Sequence, residues 1–175
     1  MNCNIRADGK VIISDRRGSI AGGSVYAVRG FEVTNVGNRA SLTTKLKLGV
    51  DEQMLKEQTV LEDAVKKTKK ELTALADARR EMQNKYPDKS YKQLDKYIKV
   101  QKAIEVRENQ LKQLAERVKQ KREELKEIRA AKAVISKTVF DGVNFEINGH
   151  RCSPGALKDV TLKMIGARIA IDANI

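Results

Sequence analysis

The sequence has no tryptophan, one histidine, two cysteines and two prolines in 175 residues, and aromatics make up only 4% of it. Each shortage excludes something. Cys3, Cys152 and His150 cannot complete a four-ligand zinc site without carboxylates. Two cysteines build no disulfide framework, so reduced thiols are expected, with no metal and no cofactor. No apolar run approaches the roughly 18 residues of a membrane span, and the N-terminus lacks the apolar core of a signal peptide. The expected compartment is therefore the cytosol. Glycine is missing from the whole of residues 51–132, and no Pro/Gly/Ser-rich linker occurs anywhere.

What is present is charge. Lys and Arg number 35 against 23 Asp and Glu, for a net charge of +12. At 41% hydrophobic the chain is too apolar to be wholly disordered, and at 33% charged it is too polar for a simple globule. Composition divides it into three. Residues 1–50 have a balance of +5 and hold seven of the eleven glycines; residues 51–132 have +6; residues 133–175 have +1. The outer two parts are rich in β-branched residues, whereas the middle is rich in Lys, Glu, Leu, Ala and Gln.

The middle part reads as two long helices. Positions alternating by four and three run through Met54, Gln58, Leu61, Val65, Thr68, Leu72, Leu75, Arg79, Met82 and Tyr86, and seven of these ten are apolar. That is a coiled-coil seam. Asp51 is the expected N-cap, with Val50 stapled to Leu55. Pro87 breaks the run. Ser90 and Gln93 then form an expected capping box that starts a second helix. Its seam is Tyr97, Val100, Ile104, Arg107, Leu111, Leu114, Val118, Lys121, Leu125, Ile128 and Lys132. Two seams joined by a tight turn near 86–90 predict an antiparallel hairpin with arms of roughly 50–60 Å. One long helix joining a parallel dimer is the alternative, and it would leave Pro87 inside a helix.

The ends read as β-structure with an internal repeat. At an offset of 20, Ile5 matches Val25, Ala7 matches Ala27, Val11 matches Phe31 and Ile13 matches Val33. The matched residues alternate, as they do on the buried face of short strands. A period near 20 suggests the coils of a β-solenoid, with a two-sheet sandwich as the competing reading. Alternation resumes at Thr138, Phe140, Val143, Phe145 and Ile147, followed by a turn signal at Asn148-Gly149. Val160, Leu162 and Met164, then Ala167, Ile169 and Ile171, are expected as further strands completing the solenoid.

Several stretches resemble the flagellar assembly protein A family. They are Ser19 to Ala27 (SIAGGSVYA), Asn35 to Asn38 (NVGN), Thr43 to Asp51 (TTKLKLGVD) leading into a coiled coil, and Lys137 to Ile147 (KTVFDGVNFEI) after it. The resemblance covers essentially the whole chain. It implies an α+β fold, a right-handed parallel β-helix with an inserted coiled-coil hairpin, and a role in flagellar assembly or placement. It carries over no catalytic residue. It also implies an upstream region with more coils, so that Met1 is expected to lie inside the solenoid.

Enzyme readings find little to build on. Residues 18–24 space two glycines as a phosphate loop does, but Ser24 stands where the lysine is needed. His150 and Cys152 share a face without a third orienting group, which favours a turn histidine beside an ordinary thiol. Asp8, Asp15 and Glu32 do not align at the offset of 20, as stacked catalytic acids would. The basic excess is more suggestive. Lys85, Lys89, Lys92, Lys96, Lys99 and Lys102 oppose only Asp88 and Asp95, beside Tyr86, Tyr91 and Tyr97. Lys85, Tyr86, Lys89, Tyr91, Lys92 and Lys96 are the candidate partner-binding set. The plain alternative is a solvated face whose tyrosines close the hairpin end. The expected role is a scaffold for a protein partner. Nucleic-acid binding by the basic arm is the second reading, and a homodimer through an exposed solenoid end is a further expectation.

Overall fold

Alternation of side chains across short strands builds the β part, and the computed structural model describes residues 3–86, 88 and 90–174 of the chain. Two compact units are present, Met1–Leu55 with Glu124–Ile175, and Lys56–Glu123. In the first unit the strands are β1 (Asn4–Ala7), β2 (Val11–Ile13), β3 (Ser19–Ile20), β4 (Gly23–Ala27), β5 (Gly30–Val36), β6 (Thr44–Leu48), β7 (Lys132–Val139), β8 (Val143–Ile147), β9 (His150–Cys152), β10 (Leu157–Ile165) and β11 (Arg168–Ala173). They form two sheets, ordered β1-β4-β6-β8-β9 and β11-β10-β7-β5-β2, with β3 also on β5. The chain visits the sheets in turn, so each circuit lays a strand parallel to the one before it.

The pairing follows the repeat. Ile5 lies on Val25, Ala7 on Ala27, Val11 on Phe31 and Ile13 on Val33, which are the four matches found in the sequence. The rows continue inward through Val25, Leu46 and Phe145, and through Phe31, Ala133 and Leu162. All six of these are buried in one apolar cluster. Burying each large side chain is worth about 1.5–3 kcal/mol, so the stacked rows carry most of the driving force for this unit. Phe31 is matched across the stack by the small Ala133, which keeps the layer filled without strain.

One feature departs from expectation. The last strands do not add parallel coils. β9 pairs with β8, β10 with β7, and β11 with β10, all antiparallel. The links are the reason: Asn148-Gly149 and Gly166-Ala167 are two-residue turns, and a parallel return needs a much longer crossover. Asn148 and Gly149 both take positive φ, +50° and +83°, as such a turn requires. At the other end, β1 and β2 are edge strands, and Ile5 is 52% exposed although it continues an inward row.

Helices α1 (Glu52–Lys85) and α2 (Asp95–Arg129) lie between β6 and β7 in the chain. Their first and last turns belong to the β unit. Asp51 is the N-cap, accepting the Met54 N–H at 2.9 Å, as the sequence indicates. The expected staple is corrected. Leu55 is 41% exposed, and Val50 packs instead with Tyr26, Val28, Leu125, Ile128 and Met54. Leu125 and Ile128 present an apolar face on this side, so Val50 turns toward them. Asn148 joins the ends of the insertion, accepting the Val50 N–H at 2.8 Å and donating to the Arg129 carbonyl at 3.0 Å.

The second unit holds most of both helices. The ten α1 seam positions are all buried or half-buried, and so are those of α2 from Tyr97 to Ile128. The polar interruptions each find a partner. Arg107 pairs with Glu71 at 2.8 Å, Lys121 with Glu57 at 3.0 Å, and the Thr68 hydroxyl donates to the Ala64 carbonyl at 2.9 Å. Arg122 meets Glu62 at 2.8 Å. Glu62, Glu71 and Gln83 on one helix meet Arg122, Arg107 and Tyr97 on the other, so the helices run antiparallel.

Two predictions follow from this packing. Gly30 has φ +102°, and a Cβ there would lie 2.2 Å from the Lys132 carbonyl oxygen of the next strand. Gly30→Ala is expected to cost about 2 kcal/mol or more, read by thermal unfolding followed by circular dichroism. The Asp51 carboxyl feels burial, which raises its pKa, but the Met54 N–H and Arg6 at 3.1 Å outweigh that and hold it below its ordinary 3.8. A carboxylate depressed on folding stabilises fully above its unfolded value and loses that contribution as pH falls through the folded one. Asp51→Ala should therefore cost about 1–2 kcal/mol at pH 7. The gap to the native chain should close as urea titrations are taken below pH 4.

Candidate functional site

The tip of the helix pair is built at the break between α1 and α2. α1 ends at Lys85, a short 3₁₀ turn covers Ser90–Gln93, and α2 starts at Asp95. Pro87, Lys89 and the Gln93 side chain, all part of the sequence reading, lie outside the described residues. The start of the second helix is corrected. Ser90 does not open it: its N–H and its hydroxyl both donate to Asp88 Oδ1, at 3.2 and 2.9 Å. A carboxylate is the stronger acceptor, so Ser90 closes a local turn and α2 begins later. The hydroxyl of Ser90, then its N–H, hold the Asp88 carboxyl below its ordinary 3.8.

The tyrosines of the tip are engaged. Tyr91 and Tyr97 lie with ring centroids 4.8 Å apart, tilted by 58°. The Gln83 amide donates to the Tyr97 hydroxyl at 3.4 Å, and Lys85 Nζ sits 5.9 Å from the Tyr86 ring centre. All three rings are half-buried. The lysines differ. Lys85, Lys92, Lys96, Lys99 and Lys102 are exposed. Among the described residues none of these five has an ion pair, whereas Arg107, Lys121 and Arg122 farther along α2 are paired. Lys96 and Lys99 lie three apart on α2, the spacing of neighbours on one helical face, and Lys92 lies in the 3₁₀ turn before it.

A second surface lies on the outer face of the first sheet, in the β unit. Residues that alternate with the core rows stack across the strands. One row is Ser24, Lys45 and Asn144; the next is Arg6, Tyr26, Lys47, Glu146 and Arg151. Arg6 lies 4.7 Å and Lys47 5.4 Å from the Tyr26 ring centre. Lys47 and Arg151 pair with the two oxygens of Glu146 at 3.0 and 2.8 Å. Burial raises the Glu146 pKa, but these cations outweigh it and hold the carboxyl below its ordinary 4.5. The rows frame a cavity of about 410 Å³. The sequence reading passed over these residues. The signal was the alternation Lys45-Leu46-Lys47-Leu48 and Asn144-Phe145-Glu146, whose polar members face outward wherever the apolar ones stack.

The remaining candidates are used structurally. Ser19 and Ile20 pair with β5, the Gly22 N–H goes to the Thr44 hydroxyl at 2.9 Å, and a Cβ on Gly23 would lie 2.3 Å from the Cys3 carbonyl oxygen. The glycines of this loop thus serve close coil stacking. His150 is exposed on β9, and burial pushes the Cys152 thiol up, away from the thiolate a nucleophile requires. Glu32 is engaged by Lys10, and Asp15 accepts the Arg17 N–H at 2.7 Å.

Among the described residues, no group of three or more His, Cys, Asp or Glu side chains is placed to hold a metal ion, and no helix is long and apolar enough to cross a membrane. No curated protein and no solved structure matches the chain. The family described as the Flagellar Assembly Protein A beta solenoid domain matches residues 1–161, a span that takes in both helices and every strand from β1 to β9. The stacked parallel strands and the match over most of the length lead to one conclusion: the chain belongs to the flagellar assembly protein A β-solenoid domain family.

Proposed function

We propose that the chain is a non-enzymatic scaffold and protein-interaction module acting in flagellar assembly or placement, in the cytosol. Family membership supports the setting, and the cluster of tip lysines that have no ion pair among the described residues is the observation that carries the mode of action. On this reading the strands up to β8 close as a right-handed parallel β-helix over residues 1–50 and 133–147, which the antiparallel strands β9 to β11 complete. Residues 51–132 form an antiparallel coiled-coil hairpin inserted in it. Pairs such as Arg107 with Glu71 and Arg122 with Glu62 neutralise charge along the helices, and the positive field is stronger near the tip, where Lys85, Lys92, Lys96 and Lys99 outnumber Asp88 and Asp95. Such a field draws an acidic protein surface, while Tyr86, Tyr91 and Tyr97 hold the chain reversal in shape beneath it. Lys89 belongs to the same proposed set.

The same lysines favour one other reading, a basic arm that binds nucleic acid. The two separate by experiment. Recovery of flagellar-assembly proteins on the immobilised full chain is expected to fall about tenfold when Lys92, Lys96 and Lys99 are changed to Glu. Recovery that does not change removes the tip from the mechanism. RNA binding measured from low to moderate salt is expected to collapse steeply, since counterion release drives contacts of this kind. Tight RNA binding that survives moderate salt would replace the scaffold reading with the nucleic-acid one.

A further inference from the structure

The outer face of the first sheet, separate from the helix tip, has the makings of a second binding site. We infer that the groove over β4, β6 and β8 takes an extended acidic peptide segment, with its carboxylates on alternate residues.

The groove is rich in donors. Lys45 is exposed and has no ion pair among the described residues. The Arg151 side chain is 84% exposed, and the one carboxylate it meets, Glu146, is shared with Lys47. The Ser153 hydroxyl donates to Asn144 Oδ1, which leaves the Asn144 amide N–H groups as donors beside Lys45. Three cations against one carboxylate give the groove a net positive charge, and its concavity of about 410 Å³ raises the field within it.

Spacing selects the ligand's form. Lys45 and Lys47 share one face of β6, so their backbone positions repeat every two residues, about 6.6 Å at a strand's rise per residue. Acidic side chains at alternate positions of an extended peptide have the same repeat. Lys45 is the free anchor. Lys47 and Arg151, which already hold Glu146 by charge-assisted bonds, can share those bonds with an incoming carboxylate.

Nucleic acid fits less well. Base stacking needs an open aromatic face. Tyr26 is the aromatic in these rows, and it is buried with Arg6 and Lys47 against its ring. A neutral sugar would leave the cations without counter-charge.

The test uses the full chain and a fluorescent peptide alternating Glu and Ser, followed by anisotropy at low salt. Lys45→Ser with Arg151→Ser is expected to weaken binding about fivefold, the size expected for losing two exposed charge contacts. Thermal unfolding checks that this variant keeps its fold, and Lys45→Arg with Arg151→Lys, which keeps both charges, is expected to restore most of the affinity. Changing Lys158 and Arg168, which are exposed on the second sheet and belong to neither proposed site, to Ser is expected to leave this peptide's affinity unchanged; the tip is tested by its own charge reversals, so failure here is distinguishable from failure of the tip. Affinity unaffected by the Lys45 and Arg151 changes overturns the inference. So does an oligothymidylate that binds the groove more tightly than the peptide, or an equal affinity for a peptide alternating Lys and Ser.

Discussion

Register between stacked strands is the constraint on which the rest of this structure depends. In a parallel stack each inward residue must land on the inward residue of the next strand, because a slip of one position would turn the apolar set outward. The chain meets this with a repeat of 20 residues between β1 and β4, and of 21 between β4 and β6. Then 34- and 35-residue helices intervene, and Phe31 still lands on Ala133, and Leu46 on Phe145. The insertion leaves the register intact because its two ends are tied to each other. Asn148 bonds the chain before α1 and the last turn of α2 with one side chain, and Val50, Leu125 and Ile128 bury a small core beside it.

The placement of charge follows from that register. Once Leu46, Leu48, Phe145 and Ile147 are fixed inward, Lys45, Lys47, Asn144 and Glu146 have no choice but to face outward and stack. Rows of like charge would repel at the spacing of neighbouring strands. The structure avoids this by interleaving Tyr26 and Glu146 among Arg6, Lys47 and Arg151. In the helices the same problem is met by pairing across the seam, as in Arg107 with Glu71. Among the described residues, the cations that neither device pairs include Lys45 on the sheet, Lys92 in the 3₁₀ turn, and Lys96 and Lys99 on α2.

Much of the fold was legible in the sequence because two simple periods describe it. The offset of 20 named the actual partners Ile5–Val25, Ala7–Ala27, Val11–Phe31 and Ile13–Val33. The four-three spacing named helix positions that are shielded in the structure, and Asp51 was readable as a cap because its carboxylate needs only the local backbone. Expectation failed where two local partners compete. Ser90 had both its own helix start and the Asp88 carboxylate within reach, and the charged acceptor took it. Val50 had Leu55 nearby in sequence, but Leu125 and Ile128, distant in sequence, offered more apolar surface.

By itself the sequence determined the periods, the glycine-free middle, the excess of lysine and the single histidine. These are local or compositional properties, and alternation or spacing along one strand of chain suffices to express them. Tertiary structure alone decided that β10, which is not linked directly to β7, pairs antiparallel with it, while the reversal at Asn148-Gly149 is set by a local turn. It also decided which polar residues meet. Lys47 and Glu146 become neighbours only because β6 and β8, separated by the 94 residues from Gly49 to Gly142, are brought into register by the core beneath them.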